Sequence, residues 1–217
     1  METEASLEEV QLPSETQTGF LKSYNVRGNI VRVGDTVVMR HEDADDTYVA
    51  LVRGFQADPN EAVKVETRRY YRPEDTVAGR KPFHGSRELF LTDHYDNQNA
   101  STILEKCVVN TFTNYTLLKD VRPIDYFSRF EYQTETGWFS PDAVEVVCKC
   151  EMPVNPDVFM LKCEACRELY HPVCLNMTTD QAKQLVLDNY TCDDCRSLDG
   201  KRSHDEGSAS TDLSMVE

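Results

Sequence analysis

Seven cysteines and one histidine crowded between Cys148 and Cys195 constrain this chain more tightly than any other feature of it. They fall in four close pairs: Cys148-x-Cys150, Cys163-x-x-Cys166, His171-x-x-Cys174 and Cys192-x-x-Cys195. Four pairs make two tetrahedral sites. Zn²⁺ favours four such soft or borderline ligands, and each short pair grips one ion from a tight turn. A segment of about 50 residues buries too little apolar surface to fold alone, so the metals carry its stability. A disulfide framework is the competing reading, but seven is odd, and the histidine completes the set. The stretch from Met1 to Gly19 is acidic and polar with no apolar run, so no secretory signal is expected there. Cys107 stands apart in the run Cys107-Val108-Val109 and is expected to be a buried thiol.

Upstream of the cysteines the pattern is that of strands. Short β-rich runs occur at Asp35–Arg40, Tyr48–Phe55, Val63–Tyr71, Glu88–Leu91, Cys107–Phe112 and Tyr126–Tyr132. Within them Val63, Val65, Thr67 and Arg69 alternate with Lys64, Glu66 and Arg68, a period of two. Turn residues separate the runs at Asp58-Pro59-Asn60, Arg72-Pro73-Glu74 and Thr136-Gly137. With no long amphipathic helix, the expectation is a mostly β domain, a barrel or sandwich, over 20–146. The metal-binding segment then occupies 147–196. Inside it, Thr178-Thr179-Asp180-Gln181 reads as a capped helix start. Residues 1–19 and the acidic tail 197–217 have compositions that favour disorder.

The formal charge of −15 is spread along the chain. Duplex DNA binding needs Lys and Arg to neutralise phosphates, so direct nucleic-acid contact is not expected. An acidic surface suits a basic partner such as a histone tail. No apolar run is long enough to span a bilayer, so no membrane association is expected. No Ser/His/Asp set, phosphate loop or paired-carboxylate motif stands out. A catalytic zinc needs an open coordination position, which eight ligands on two ions do not leave. The expectation is a binding protein rather than an enzyme.

Longer strings narrow the reading. The single histidine comes fifth among the eight ligands, and Tyr190 stands two positions before the last pair. This order resembles a PHD finger, whereas a RING finger would place its histidine fourth, within Cys-x-His. The resemblance implies that one zinc takes Cys148, Cys150, His171 and Cys174, and the other Cys163, Cys166, Cys192 and Cys195. In the β region, Gly34-Asp35-Thr36-Val37, Tyr48-Val49-Ala50, Tyr70-Tyr71-Arg72-Pro73-Glu74, Phe83-His84-Gly85 and Glu88-Leu89-Phe90-Leu91-Thr92-Asp93-His94 resemble a bromo-adjacent homology (BAH) domain. Phe130-Glu131-Tyr132 and Cys148-Lys149-Cys150-Glu151-Met152-Pro153 mark the junction. Over about residues 20–196 the chain resembles the plant BAH–PHD chromatin readers of the early-bolting-in-short-days and short-life type.

That resemblance implies two pockets for methylated tails of histone H3, the BAH domain reading trimethyl-lysine 27 and the PHD finger trimethyl-lysine 4. A quaternary ammonium is held by aromatic faces because it cannot donate hydrogen bonds. In the BAH domain two cage residues carry over, Tyr48 and Tyr71, while Arg69 stands where the family has Trp. Arg69 shares a strand face with Tyr71, and Tyr70 points the other way and cannot substitute. Loss of one Trp face costs about 1–2 kcal/mol. Arg69 also either repels the ligand or stacks across Tyr48 or Tyr71 and fills the cage itself. His94 and Asp96 match peptide-contact positions. In the finger the cage positions hold Val147, Val154 and Leu169, and only Met160 still resembles a wall. The expectation is therefore a nuclear histone H3 reader that recruits transcriptional co-regulators. Its BAH domain recognises trimethyl-lysine 27 weakly, and its finger binds the H3 N-terminus or acts as scaffold, with trimethyl-lysine 4 reading weak or absent. The alternative is a scaffold in a chromatin complex with both pockets lost. A zinc-dependent ubiquitin ligase is disfavoured by the position of the histidine.

Overall fold

A computed structural model of the chain describes residues 19–41, 46–57 and 62–202. The segments 1–18 and 203–217, expected to be disordered, lie outside the described residues, as does the turn at 58–60. The chain forms two compact units. One holds the residues up to Arg80 together with Arg87–Asp142, and the other combines Lys81–Ser86 with the residues from Ala143 onward. Among the described residues, no helix is long and apolar enough to cross a membrane.

The first unit is a closed barrel. Its strands are β1 (Gly19–Leu21), β2 (Ser23–Val26), β3 (Asn29–Arg32), β4 (Thr36–Arg40), β5 (Thr47–Ala57), β6 (Lys64–Tyr71), β7 (Glu88–Asn99), β8 (Ile103–Thr111), β9 (Asp125–Tyr132) and β10 (Phe139–Ser140), with a short helix α1 (Phe112–Thr116). Antiparallel pairing joins β8–β4–β5–β6–β7, and parallel pairing of β9 with both β7 and β8 closes the ring. Closure leaves the six barrel strands without an open edge. β1 pairs with β5, and β10 with β9.

Each of the six β-rich runs anticipated from the sequence is a barrel strand. β7 is much longer than its apolar residues suggest. β7 continues through the polar stretch to Asn99 because its backbone pairs with β6 as far as Lys64. The β2–β3 hairpin was not anticipated. Its two-residue turn, Arg27-Gly28, has φ of 52° and 86°, the double positive-φ signature of a tight hairpin turn. β1 begins at Gly19, inside the segment expected to be disordered.

Side chains from all six barrel strands meet in one cluster of Val38, Val49, Leu51, Tyr70, Leu89, Leu91, Cys107, Val109 and Tyr126. Cys107 is buried there, and burial pushes its thiol up to about 12, as expected of an inert packing cysteine. On the other face of β4 and β5, Val37, Met39, Ala50, Val52 and Phe55 pack against Val26 and Val31 of the hairpin. β5 is thus buried on both faces, which explains its near-continuous apolar run. In β6 the alternation slips. Val65 and Thr67 are buried, then Tyr70, and the pairing register shifts between Arg68 and Tyr70.

The second unit is smaller. It contains two short ladders, β11 (Val146–Val147) with β12 (Met152–Pro153) and β13 (Leu161–Lys162) with β14 (Leu169–Tyr170), followed by helices α2 (Thr179–Leu187) and α3 (Asp193–Arg202). The anticipated capping box starts α2: Thr178 Oγ1 accepts from Gln181 N, and Gln181 Oε1 accepts from Thr178 N. α3 runs past the expected boundary at 196 to Arg202. Leu161, Cys163, Tyr170, Ala182, Tyr190 and Cys192 form the core. Asn155, buried, donates through Nδ2 to Pro82 O at 2.8 Å and His84 O at 3.4 Å, and Asp157 accepts from Ser86 N. The unit therefore includes a loop remote in sequence, which no ligand spacing announces. His84 is a structural histidine, its Nδ1 accepting from Lys81 N at 3.0 Å.

Among the described residues the barrel contains one deeply buried ion pair. Glu88 accepts from Arg129 Nε at 2.7 Å and Nη2 at 3.0 Å, with side-chain exposures of 0% and 8%. Arg129 also lies 4.6 Å from the Phe112 ring centroid. Glu88→Gln removes the counter-charge and leaves a buried guanidinium, so it is expected to destabilise the barrel by about 3 kcal/mol. Urea denaturation followed by near-ultraviolet circular dichroism measures this. A change under about 1 kcal/mol would mean the pair is effectively solvated.

Candidate functional site

The ligand pairs converge as two groups in the second unit. In the first, the donor atoms of Cys148, Cys150, His171 and Cys174 all lie within 4.8 Å of one another; in the second, those of Cys163, Cys166, Cys192 and Cys195 do. This is the interleaved pairing that the PHD resemblance implies. Local backbone geometry makes it possible. The residue after each of the first two pairs, Glu151 and Arg167, takes a left-handed conformation at φ 51° and 68°. Turn hydrogen bonds from Glu151 N to Cys148 O and from Arg167 N to Cys163 O hold them there. β13 and β14 then bring the second pair beside Tyr170, next to His171.

The electrostatics suit a cation. Burial works against ionising Cys148 and Cys163, but backbone N–H donors outweigh it and draw both thiols down to about 6. Two of these donors are direct contacts, His171 N to Cys148 Sγ at 3.4 Å and Cys192 N to Cys163 Sγ at 3.3 Å. Cys174 and Cys195 respond in the opposite sense. Burial and then the neighbouring Cys148 and Cys150 push Cys174 up to about 11. Cys192, followed by burial, pushes Cys195 up to about 12. A group of thiolates this close needs a divalent ion to neutralise it, and sulfur and imidazole donors in fours fit Zn²⁺. The protein therefore binds two Zn²⁺, with a structural role, since all eight ligand positions come from the chain.

The barrel carries a second candidate site. A cleft of about 310 Å³ opens at the mouth of the barrel, with Val38, Val49, Tyr70, Leu89 and Tyr126 of the interior cluster among its lining. Tyr48, Arg69 and Tyr71 stand together at this cleft, as the strand-face argument anticipates, with His41, Asp46, Thr47, Arg72 and Asp75 around them. Tyr70 packs inward instead, and burial, followed by its neighbour Cys107, pushes its phenol up to about 12. Of the two fates open to Arg69, the structure takes stacking: its Cζ lies 3.9 Å from the Tyr48 ring centroid. Tyr71 is not covered in this way. Its hydroxyl is 2.9 Å from His94 Nδ1, and its ring meets Tyr132 at 6.3 Å. Burial, with the Arg69 cation behind it, lowers the His94 pKa and keeps that ring neutral.

Other anticipated residues are placed less directly. His94 supports Tyr71 from behind the cleft. Asp96 lies further along β7, opposite Thr67, and its carboxylate accepts from Gln98 Nε2 at 2.7 Å and Asn97 N at 2.9 Å. In the finger, Val147 is buried, while Val154, Met160 and Leu169 are half-buried. His41 was missed by sequence reasoning. It sits one residue beyond β4, and nothing in the local pattern signals that its ring meets Tyr48 across the strands at 4.7 Å.

Comparison with known proteins gives a consistent picture. Residues 29–143 match the BAH domain and residues 147–195 the PHD-finger. The chain is 50% identical over 194 residues to "Chromatin remodeling protein EBS" of Arabidopsis thaliana, covering 88% of this chain and 82% of that protein. It is 46% identical over 179 residues to "Chromatin remodeling protein SHL" of the same organism, covering 81% and 78%. A 58-residue stretch is 34% identical to "Lysine-specific demethylase phf2" of Danio rerio, covering 27% of this chain and 5% of that protein.

Elemental analysis of the reduced, folded chain is expected to find two zinc ions. Structural zinc contributes about 10–16 kcal/mol of apparent binding energy in finger-sized units. His171→Ala should therefore unfold the second unit while the barrel stays folded, which limited proteolysis with mass spectrometry resolves. A stable, fully folded His171→Ala protein holding no zinc would remove the metal from the folding argument.

Proposed function

This chain belongs to the BAH–PHD family of plant chromatin proteins, and we propose that it is a nuclear, non-enzymatic reader of the histone H3 tail that brings transcriptional co-regulators to chromatin. In this reading the barrel cleft takes trimethyl-lysine 27 of H3 with weak affinity. The observation that carries it is the meeting of Tyr48 and Tyr71 at one cleft, two aromatic walls of the kind that attract a quaternary ammonium. The weakness follows from Arg69, which covers the Tyr48 face with a cation of its own. The acidic chain suits a basic tail. The finger, with Val147, Val154, Met160 and Leu169 at its cage positions, has no π-face there to hold trimethyl-lysine 4. Its role is then to bind the H3 N-terminus or to act as a scaffold.

Calorimetry with H3 peptides, trimethylated at lysine 27 or unmodified, tests the reading on the full chain. Wild type is expected to prefer the trimethylated peptide slightly, and Tyr71→Ala to erase the preference. Arg69→Trp should tighten binding of the trimethylated peptide alone by roughly five- to thirtyfold, since it removes a charge and adds the strongest π-face. Arg69→Ala removes the charge without adding a wall and should recover only part of that gain. If wild type and Arg69→Trp bind both peptides equally, the scaffold alternative replaces this reading.

A further inference from the structure

The Arg69 guanidinium is held from two directions. Tyr48 lies under it, and His41 Nε2 stands 2.9 Å from its Nη2. A guanidinium only donates, so His41 must accept at Nε2 and carry its own proton on Nδ1. The His41 ring in turn packs against Tyr48 at 4.7 Å and 50°. Two side chains from separate positions, His41 after β4 and Tyr48 in β5, thus touch each other and the guanidinium of Arg69 in β6.

No carboxylate among the described residues forms an ion pair with Arg69. The two acidic residues lining the same cleft are engaged locally, Asp46 Oδ1 accepting from Thr47 N at 2.7 Å and Asp75 Oδ2 from Arg72 N at 2.9 Å. Arg72 donates to Thr47 O. His94, which meets Tyr71, has its pKa lowered by burial and by Arg69 itself. Among the described residues, an aromatic face and an imidazole lone pair therefore fix the position of Arg69 with no help from a counter-charge. That is how a cation-binding pocket holds a guest, and here the guest is part of the chain.

We propose that His41 is a specificity-determining, positioning residue of the cleft, which parks Arg69 on Tyr48 as an internal occupant that any methyl-lysine must displace. This inference rests on the reading of the cleft as a methyl-lysine pocket. A trimethylammonium has no N–H, so it can take over the Tyr48 face but cannot satisfy His41 Nε2. The exchange leaves both Arg69 and His41 without the hydrogen bond they share. His41 thereby biases the cleft against a trimethylated side chain and toward cations that keep a donor.

His41→Phe tests this, because it keeps a ring against Tyr48 and removes the acceptor. Calorimetry on the full, zinc-loaded chain should show roughly three- to tenfold tighter binding of the H3 peptide trimethylated at lysine 27, with the unmodified peptide unchanged. His41→Gln, whose Oε1 can accept from Arg69, should stay close to wild type. In an Arg69→Ala background, adding His41→Phe should change affinity less than about twofold, because the effect runs through Arg69. If His41→Phe binds no better while Arg69→Trp does, the proposal fails and the reading of the cleft stands. A gain that persists in the Arg69→Ala background also overturns it, since His41 would then act on the ligand directly. If no variant distinguishes the peptides, the reading of the cleft fails, and a ligand-free measurement still decides the role of His41. The nitrogen-15 shift of His41 Nε2 should move when Arg69 becomes Ala, and an unmoved shift would overturn the proposal.

Discussion

Closure of the barrel through β5 is the constraint on which the rest of the first unit depends. This eleven-residue strand pairs with β4 along Thr47–Leu51, with β6 along Ala50–Gln56 and with β1 along Phe55–Ala57. A strand with neighbours on both sides and packing on both faces has no freedom to slip, because a one-residue shift would exchange its two buried sets. That register places Ala50 opposite Arg69 and so sets Tyr48 within reach of the guanidinium. The register shift in β6 then sends Tyr70 inward while Arg69 and Tyr71 stay at the mouth. The cleft is thus a by-product of how the ring closes.

Among the arginines of this unit that lie over aromatic rings, Arg129 and Arg69 are in opposite circumstances. Arg129 sits among Phe112, Phe127 and Phe130 with the Glu88 carboxylate paired to it, and both charges are almost wholly withdrawn from water. Such a pair is locked, since removing either member strands the other. Arg69 has a ring and an imidazole but no carboxylate among the described residues, and it is half-buried at a cleft open to solvent. Its charge can return to water at small electrostatic penalty. One arginine therefore serves the fold, and the other is exchangeable enough to take part in binding.

The second unit depends on different forces. Its apolar core is a handful of residues, two of them zinc ligands, so burial and metal binding occupy the same positions. Backbone N–H groups aimed at Cys148 and Cys163 favour the first thiolates, and the burial and thiol crowding that raise Cys174 and Cys195 are offset by added positive charge. The loop Lys81–Ser86, tied by Asn155 and Asp157, adds polar anchoring that the ligand set lacks. Stability here comes from coordination and hydrogen bonding more than from area, as the small size of the unit requires.

What the sequence alone determined were the features whose physics is local. Ligand pairs two to three residues apart must fall in one turn, so the zinc-binding segment was legible from spacing. The α2 capping box needs only Thr178 and Gln181, three residues apart, and it too was legible. The six barrel runs showed themselves through β-rich composition between turn residues, with alternation in the Val63–Tyr71 run, and the arrangement of Tyr48, Arg69 and Tyr71 followed from the period of two plus a family resemblance. The tertiary structure decided the rest. The polar half of β7 is a strand only because β6 lies beside it, and β1–β3 are too short and mixed to announce themselves. The 81–86 loop joins the second unit through contacts more than 70 residues apart in sequence. Whether Arg69 would repel a ligand or fill the pocket was open until the register of β5 against β6 and the position of His41 were known. Spacing along a chain is bounded by covalent geometry, whereas contacts across strands are set by pairing and bulges that only the closed barrel specifies.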